Sequence, residues 1–316
     1  MFNIKLVLKL VFSLFILIVF INITNFKDVF FGLKSLGLLW GLLFFTFHIL
    51  TIVLNSQKIK FVFKFFSLNN SFFYYFKKTI ISSFFNNFSL GTLGGDIYKS
   101  ITFSSTFNKQ KESIYAVIFD RLIGLLVLFL LVLIFLPFII NEYFDINTFL
   151  IALFYAIILV ALVYSKILIN FMFDCILYIL RVFNINKLIG PIANLIYIKV
   201  PKNIFLYTIF FSLLNHMITI LYFTTIFYWL NLKIPFIFIL VSISVINLLL
   251  MIPITYQGIG LREFLFLYFF GIYGITSSEV AIISLIGYLN LFIASSIGYF
   301  LYSLENLFSK GLFGKS

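Results

Sequence analysis

Charge, cysteine and histidine are all scarce in this chain, and each scarcity removes a class of protein. Only 10% of its 316 residues are charged, while 63% are hydrophobic. A soluble globular domain has about 25% charged and about 45–50% apolar residues, so a soluble fold of useful size is excluded. The single Cys175 rules out an internal disulfide and a multi-cysteine metal site. The two histidines, His48 and His216, lie on separate apolar runs with no ligand spacing between them. They read as hydrogen-bonded span residues, and neither a metal nor a cofactor is expected. No complete Gly-x-x-x-x-Gly-Lys-Ser/Thr phosphate loop occurs, which argues against ATP as an energy source.

What the chain has in excess is long apolar runs. Each run of about 20 residues can cross about 30 Å of hydrocarbon as a helix. The expected architecture is an all-α polytopic membrane protein forming one integral membrane domain over residues 1–316. Full spans are expected near 4–24, 34–54, 114–138, 148–165, 204–228 and 279–303. Residues 4–24 carry no small-residue cleavage site, so they read as a retained span. The segment 170–183 is too short to cross. Its polar residues Asn170, Asp174, Tyr178 and Arg181 share one helical face, as in an amphipathic helix lying in the interface. The 47 Phe and 18 Tyr need no functional account: lipid tolerates Phe as well as Leu, and the joint abundance of Phe, Ile, Asn and Lys points to a biased genome.

The net charge of +12 comes without an arginine-rich tail, so no nucleic-acid partner is expected. The basic residues instead fit the preference of Lys and Arg for the cytoplasmic side. Lys5 and Lys9 open the first span, and Lys58, Lys60 and Lys64 read as the loop after the second. Lys166, Arg181, Lys187, Lys199 and Lys202 lie between the fourth and fifth, whereas 141–147 carries only Glu142 and Asp145. This orientation puts both termini in the cytoplasm of a cell membrane.

Two further apolar stretches, about 73–110 and 236–275, cannot be ordinary crossings in that orientation. Each has a glycine-rich polar break at its middle and reads as a re-entrant helical hairpin. Irregular backbone at membrane depth survives only where protein or a water-filled cavity satisfies it. One hairpin would enter from each side, the pattern expected of an inverted repeat whose broken helices meet at a central site.

Three clusters stand out. The first, Ser89 to Lys99, contains Gly94-Gly95-Asp96; the glycines suit a tight turn. Asp96 either caps the returning half-helix or, with Lys99, faces a polar cavity. The second is Asp120-Arg121-Leu122-Ile123-Gly124, about two turns into a span. Charges there usually face a bundle interior, although an Arg can also snorkel. Adjacent helical residues diverge, so Asp120 and Arg121 need separate partners. The third runs from Pro253 to Glu263, with Pro253 ending one half-helix and Gly258 and Gly260 shaping the tip. A half-helix beginning near Leu261 would offer N–H groups to an anion, with Arg262 in support; a phospholipid or polyprenyl-phosphate headgroup is the natural candidate. Alternatively, Arg262 and Glu263 pair with Asp120 and Arg121 to lock the bundle. Thr276-Ser277-Ser278-Glu279 has capping-box spacing and starts the last span.

These clusters resemble the transmembrane region of lysylphosphatidylglycerol synthases and their stand-alone flippase-like relatives. That family combines a Gly-Gly-Asp turn and a following basic residue with an Asp-Arg-hydrophobic-Gly motif. A Pro, a glycine-rich turn and Gly-hydrophobic-Arg-Glu come much later. Here these are Gly94-Gly95-Asp96 with Lys99, Asp120 to Gly124, and Pro253 through Gly260-Leu261-Arg262-Glu263. The family usually has Pro before the turn, where Leu90 and Thr92 stand, and Arg at the position of Lys99. The resemblance implies movement of an anionic lipid or polyprenyl-phosphate-linked sugar between leaflets. Asp96, Lys99, Asp120, Arg121, Arg262 and Glu263 would be substrate-binding residues. Only a short tail follows Tyr302, so no aminoacyl-transferase domain and no lipid aminoacylation are expected; a separate synthase or glycosyltransferase would be a partner. The alternatives are a membrane glycosyltransferase or accessory subunit, disfavoured by 10 acidic residues with no Asp-x-Asp pair, and an inert scaffold, disfavoured by charges at membrane depth.

Overall fold

The computed structural model describes residues 14, 16–88, 94–140, 200–251, 255 and 257–313. The expected span 148–165, the interfacial segment 170–183, most of 4–24 and Pro253 lie outside them. Within the described residues the protein is all-helical: α1 (Ile16–Asn22), α2 (Phe26–Lys34), α3 (Leu38–Phe65), α4 (Phe72–Phe88), α5 (Gly94–Phe107), α6 (Gln110–Ile140), α7 (Lys202–Trp229), α8 (Phe236–Leu250), α9 (Leu261–Phe270) and α10 (Ser277–Phe313). A single 3-10 turn, Gly271–Tyr273, follows α9. Among the described residues, four helices are long and apolar enough to cross a membrane: α3, α6, α7 and α10. A 28-residue helix such as α3 is about 42 Å long, ample for about 30 Å of hydrocarbon. By contrast α8, with 15 residues, reaches only about 22 Å. Helices α1 and α2 meet at 85°.

Local sequence sets the boundaries. Pro201 and Pro235 precede α7 and α8 with φ near −60°, which fits a proline at a helix start. The Asn25 side chain accepts from Lys27 N–H at 3.1 Å and caps α2. Asn108 and Asn231 take positive φ just past α5 and α7, a conformation asparagine tolerates. The capping box at α10 forms as its spacing predicts: Thr276 N–H donates to Glu279 Oε2 at 2.7 Å, and Glu279 N–H donates to Thr276 Oγ1 at 3.2 Å. One boundary differs from expectation. Lys58, Lys60 and Lys64 do not form a loop but continue α3 to Phe65, because lysine is a good helix former and Lys58 finds a buried carboxylate.

The packing repeats itself along the chain. α3 packs on α4, α4 on α5 and α5 on α6; likewise α7 packs on α8, α8 on α9 and α9 on α10. Between the halves, α4 lies on α10 while α8 lies on α6, and α6 touches α7 while α10 touches α3. The two leading long helices, α3 and α7, pack directly on each other. Close approach depends on small residues, as expected where helices associate in lipid. A Cβ on Gly298 of α10 would lie 2.5 Å from the Ile80 carbonyl oxygen of α4. Nearby, Asn87 donates to Leu291 O at 3.2 Å and bonds Ser295 Oγ. Gly298→Ala should therefore force α4 from α10 and lower stability by about 1–3 kcal/mol. The melting temperature of detergent-purified protein checks this; an unchanged melt would mean the contact is loose.

Candidate functional site

The first polar centre joins α3, α5 and α6. Asp96, in the first turn of α5, is favoured there by the partial positive charge of a helix start. Its Oδ2 accepts from Arg121 Nε of α6 at 2.5 Å, and Lys99 Nζ stands 3.9 Å from its Oδ1. One residue before Arg121, Asp120 turns to another side and lies 3.0 Å from Lys58 Nζ of α3. That contact lacks hydrogen-bond alignment at Asp120 Oδ1, so the attraction is Coulombic. Lys58, Lys99 and Asp120 are at most 9% exposed, while Arg121 keeps 35% of its side chain exposed. Three cations therefore share two carboxylates. The expectation that Asp120 and Arg121 take separate partners holds, and Arg121 pairs with Asp96 rather than snorkelling alone. Neither pairs with Arg262 or Glu263. Lys58 was missed from sequence because it was assigned to a loop; the signal for it was the need of Asp120 for its own cation.

The glycine turn before α5 has a steric cause. A Cβ on Gly95 would lie 2.6 Å from Ser82 O and 2.7 Å from Asn86 Oδ1. Gly95 N–H donates to that same Asn86 Oδ1 at 2.7 Å, so Asn86 of α4 caps the start of α5. Gly94 beside it is buried. From the other break, the Gln257 side chain donates to Asn86 O at 2.8 Å. The two breaks in the chain thus meet at Asn86.

The second polar centre lies at the start of α9. Gly258 and Gly260 have φ of +77° and +81°, which glycine adopts without cost. The sequence predicts free N–H groups here for an anion, and two N–H groups at this break are answered by the chain itself. Gly260 N–H donates to Glu263 Oε2 at 2.8 Å, and Arg262 N–H donates to Gly258 O at 2.8 Å. Glu263 is buried, and its Oε1 accepts from Tyr288 O–H of α10 at 2.9 Å. Arg262 takes a different direction, its guanidinium lying 5.3 Å from the Tyr288 ring centroid. It forms no ion pair among the described residues and lines a cavity of about 190 Å³ with His48, Tyr222, Asn247 and Asn290. These four polar liners come from α3, α7, α8 and α10, and sequence spacing gave no sign of their meeting. The histidines also part company: His216 Nε2 is 3.3 Å from Gly124 O, whereas His48 Nε2 is buried with no partner among the described residues.

The two centres occupy corresponding places. Asp96 and Glu263 are each the third residue of the helix after a break. Each bonds a side chain 25 residues later on the following long helix, Arg121 in one case and Tyr288 in the other. Among the described residues no group of three or more His, Cys, Asp or Glu stands where it could hold a metal ion.

A helical membrane protein with two such centres, built where short paired helices meet long spans, is the class that fold and site define. The model for the lysylphosphatidylglycerol synthase transmembrane region matches residues 6–298. The chain belongs to that family. Comparison with curated proteins gave no match, and comparison with solved structures gave none.

Breaking one buried ion pair tests the first centre. Lys58→Met leaves Asp120 charged and should cost about 3–5 kcal/mol of stability. Lys58→Met combined with Asp120→Leu should recover most of it. Melting temperatures of the three proteins decide the matter; a double variant no more stable than the single would refute the pairing.

Proposed function

We propose that this protein binds an anionic lipid headgroup at membrane depth and carries it between leaflets, as a flippase-like transporter. The observation that carries the reading is Arg262: a guanidinium inside the bundle, without an ion pair among the described residues, on the wall of a cavity. A charge at that depth is costly and marks a substrate path more often than a structural need. Its liners on α3, α7 and α10 lie away from the ends of those helices. In this reading Arg262 is the headgroup ligand and Glu263 holds its backbone in place. Asp96, Lys99, Asp120 and Arg121 form the counterpart centre, whose charges are largely answered from within. Acyl or polyprenyl chains stay in lipid, and a phospholipid or a polyprenyl-phosphate sugar would serve as cargo. A separate synthase or glycosyltransferase would supply it, in a cell membrane with both termini cytoplasmic.

The architecture we favour is an inverted repeat. Residues 38–140 and 202–313 run through the same order of helix contacts, and their carboxylates bond with the same separation of 25 residues. In this arrangement α4–α5 and α8–α9 are re-entrant hairpins entering from opposite faces, and rocking of one half against the other would expose the cavity alternately. Cysteines placed at exposed ends test it in a Cys175→Ala background. Ser71→Cys and Gln110→Cys should react with an impermeant reagent from one face, and Lys233→Cys and Thr276→Cys from the other. Labelling of Ser71→Cys and Gln110→Cys from opposite faces would make α4–α5 a crossing and sink the hairpin.

Transport is tested in proteoliposomes carrying fluorescent anionic and neutral lipids. Wild type should speed exchange of the anionic lipid, Arg262→Ala should reduce it at least about tenfold, and Arg262→Lys should retain part, because a lysine keeps the charge without the bidentate fork. Equal exchange by wild type and Arg262→Ala would remove Arg262 from the path.

A further inference from the structure

The chemistry of the cavity wall says more than that an anion binds there. Around Arg262 stand two carboxamides, Asn247 and Asn290, one phenol, Tyr222, and one imidazole, His48. No Asp or Glu is among the described residues that line the cavity. Glu263, next in sequence to Arg262, faces away and is occupied by Gly260 N–H and Tyr288 O–H. The cavity therefore carries one cation, a few hydrogen-bonding side chains and an apolar remainder. Asn290 Nδ2 donates to Tyr222 OH at 3.4 Å, which leaves the phenolic proton available to a ligand oxygen. Thr51 Oγ1 donates to His48 O at 2.7 Å, so its proton is committed and its lone pairs remain to accept. His48 Nε2 is buried with no partner among the described residues, and a buried polar atom is normally satisfied. Phe47, Phe223 and Phe266 add aromatic faces to the wall, and aliphatic side chains make up much of the rest.

Resting on the anion-site reading, we propose that this cavity receives a phosphodiester whose substituent is an uncharged polyol, a glycerol or a sugar, and rejects one bearing an aminoacyl group. Hydroxyl groups donate and accept at once, which matches a mixed carboxamide, phenol, imidazole and threonine wall. Aromatic faces accept the C–H side of a sugar ring. An aminoacyl ammonium would instead lie beside Arg262 with no carboxylate to receive it, and like charges placed together are strongly disfavoured. The volume of about 190 Å³ is below the roughly 300–1,000 Å³ of pockets that enclose drug-sized ligands. It suits a headgroup whose lipid chains remain outside. The cargo class is thus a polyol phosphate lipid, in contrast to the lysyl-bearing lipid in the family's name.

Native mass spectrometry of the full-length protein tests this with four lipids in competition: phosphatidylglycerol, phosphatidylinositol, a polyprenyl-phosphate hexose and lysylphosphatidylglycerol. The measured quantity is the binding lost in Arg262→Ala, with Arg262→Lys and size-exclusion profiles controlling for folding. We expect this component to favour the polyol-bearing lipids over lysylphosphatidylglycerol by at least about tenfold, the direction set by like-charge repulsion beside Arg262. Asn247→Leu should reduce that preference while sparing phosphatidic acid, which carries no polyol. Preference among the three polyol lipids identifies the source, glycerol or sugar, and supports the class either way. Arg262-dependent binding of lysylphosphatidylglycerol as tight as that of phosphatidylglycerol overturns the headgroup inference and leaves the anion site standing. Absence of any Arg262-dependent binding overturns both.

Discussion

A carboxylate in the interior of a bilayer must find a partner within the protein, because hydrocarbon offers none. Asp96 and Glu263 meet that demand in the same way. Each sits in the first turn of a helix that follows a break, where the helix start favours negative charge. Each then reaches a donor on the next long helix, Arg121 or Tyr288. These two bonds fasten the short helices α5 and α9 to the spans α6 and α10. The glycine turns, the Asn86 cap and the Gln257 bridge between the breaks all serve backbone that would otherwise be unsatisfied at depth.

The same frame carries different chemistry in its two halves. Around Asp96 the partner is a guanidinium, and Lys58 and Asp120 add a second buried ion pair. Buried ion pairs are weak evidence for net stability but are expensive to break, so this centre is a lock on the arrangement of α3, α5 and α6. Around Glu263 the partner is a neutral phenol. The arginine at that end is left to stack on Tyr288 and to face a cavity. One centre pairs its carboxylates with cations, while at the other Arg262 forms no ion pair among the described residues.

Sequence reading went furthest where a single segment carries the signal. The 63% hydrophobic composition required a membrane protein, run length located α6, α7 and α10 closely, and glycine with Asp or Glu marked both breaks. The capping box at Thr276 needed only four residues in a row. It failed at Lys58, because a lysine beyond an apolar run looks like a loop until its partner on another helix is known. It also gave no sign that Glu263 turns back to Gly260 N–H, since the order of residues does not show where a side chain points.

Bilayer thickness and hydrogen-bond satisfaction act along the chain, and they determined from sequence alone the class, the family motifs and the two interrupted stretches. Pairing acts across it. Only the tertiary structure decided that Asp120 belongs to Lys58, that Asp96 belongs to Arg121, and that Arg262 meets His48, Asn247 and Asn290 around one cavity. The cavity residues come from five separate helices, α3, α7, α8, α9 and α10. Their convergence depends on how helices pack against one another, which side-chain order within any one helix does not encode.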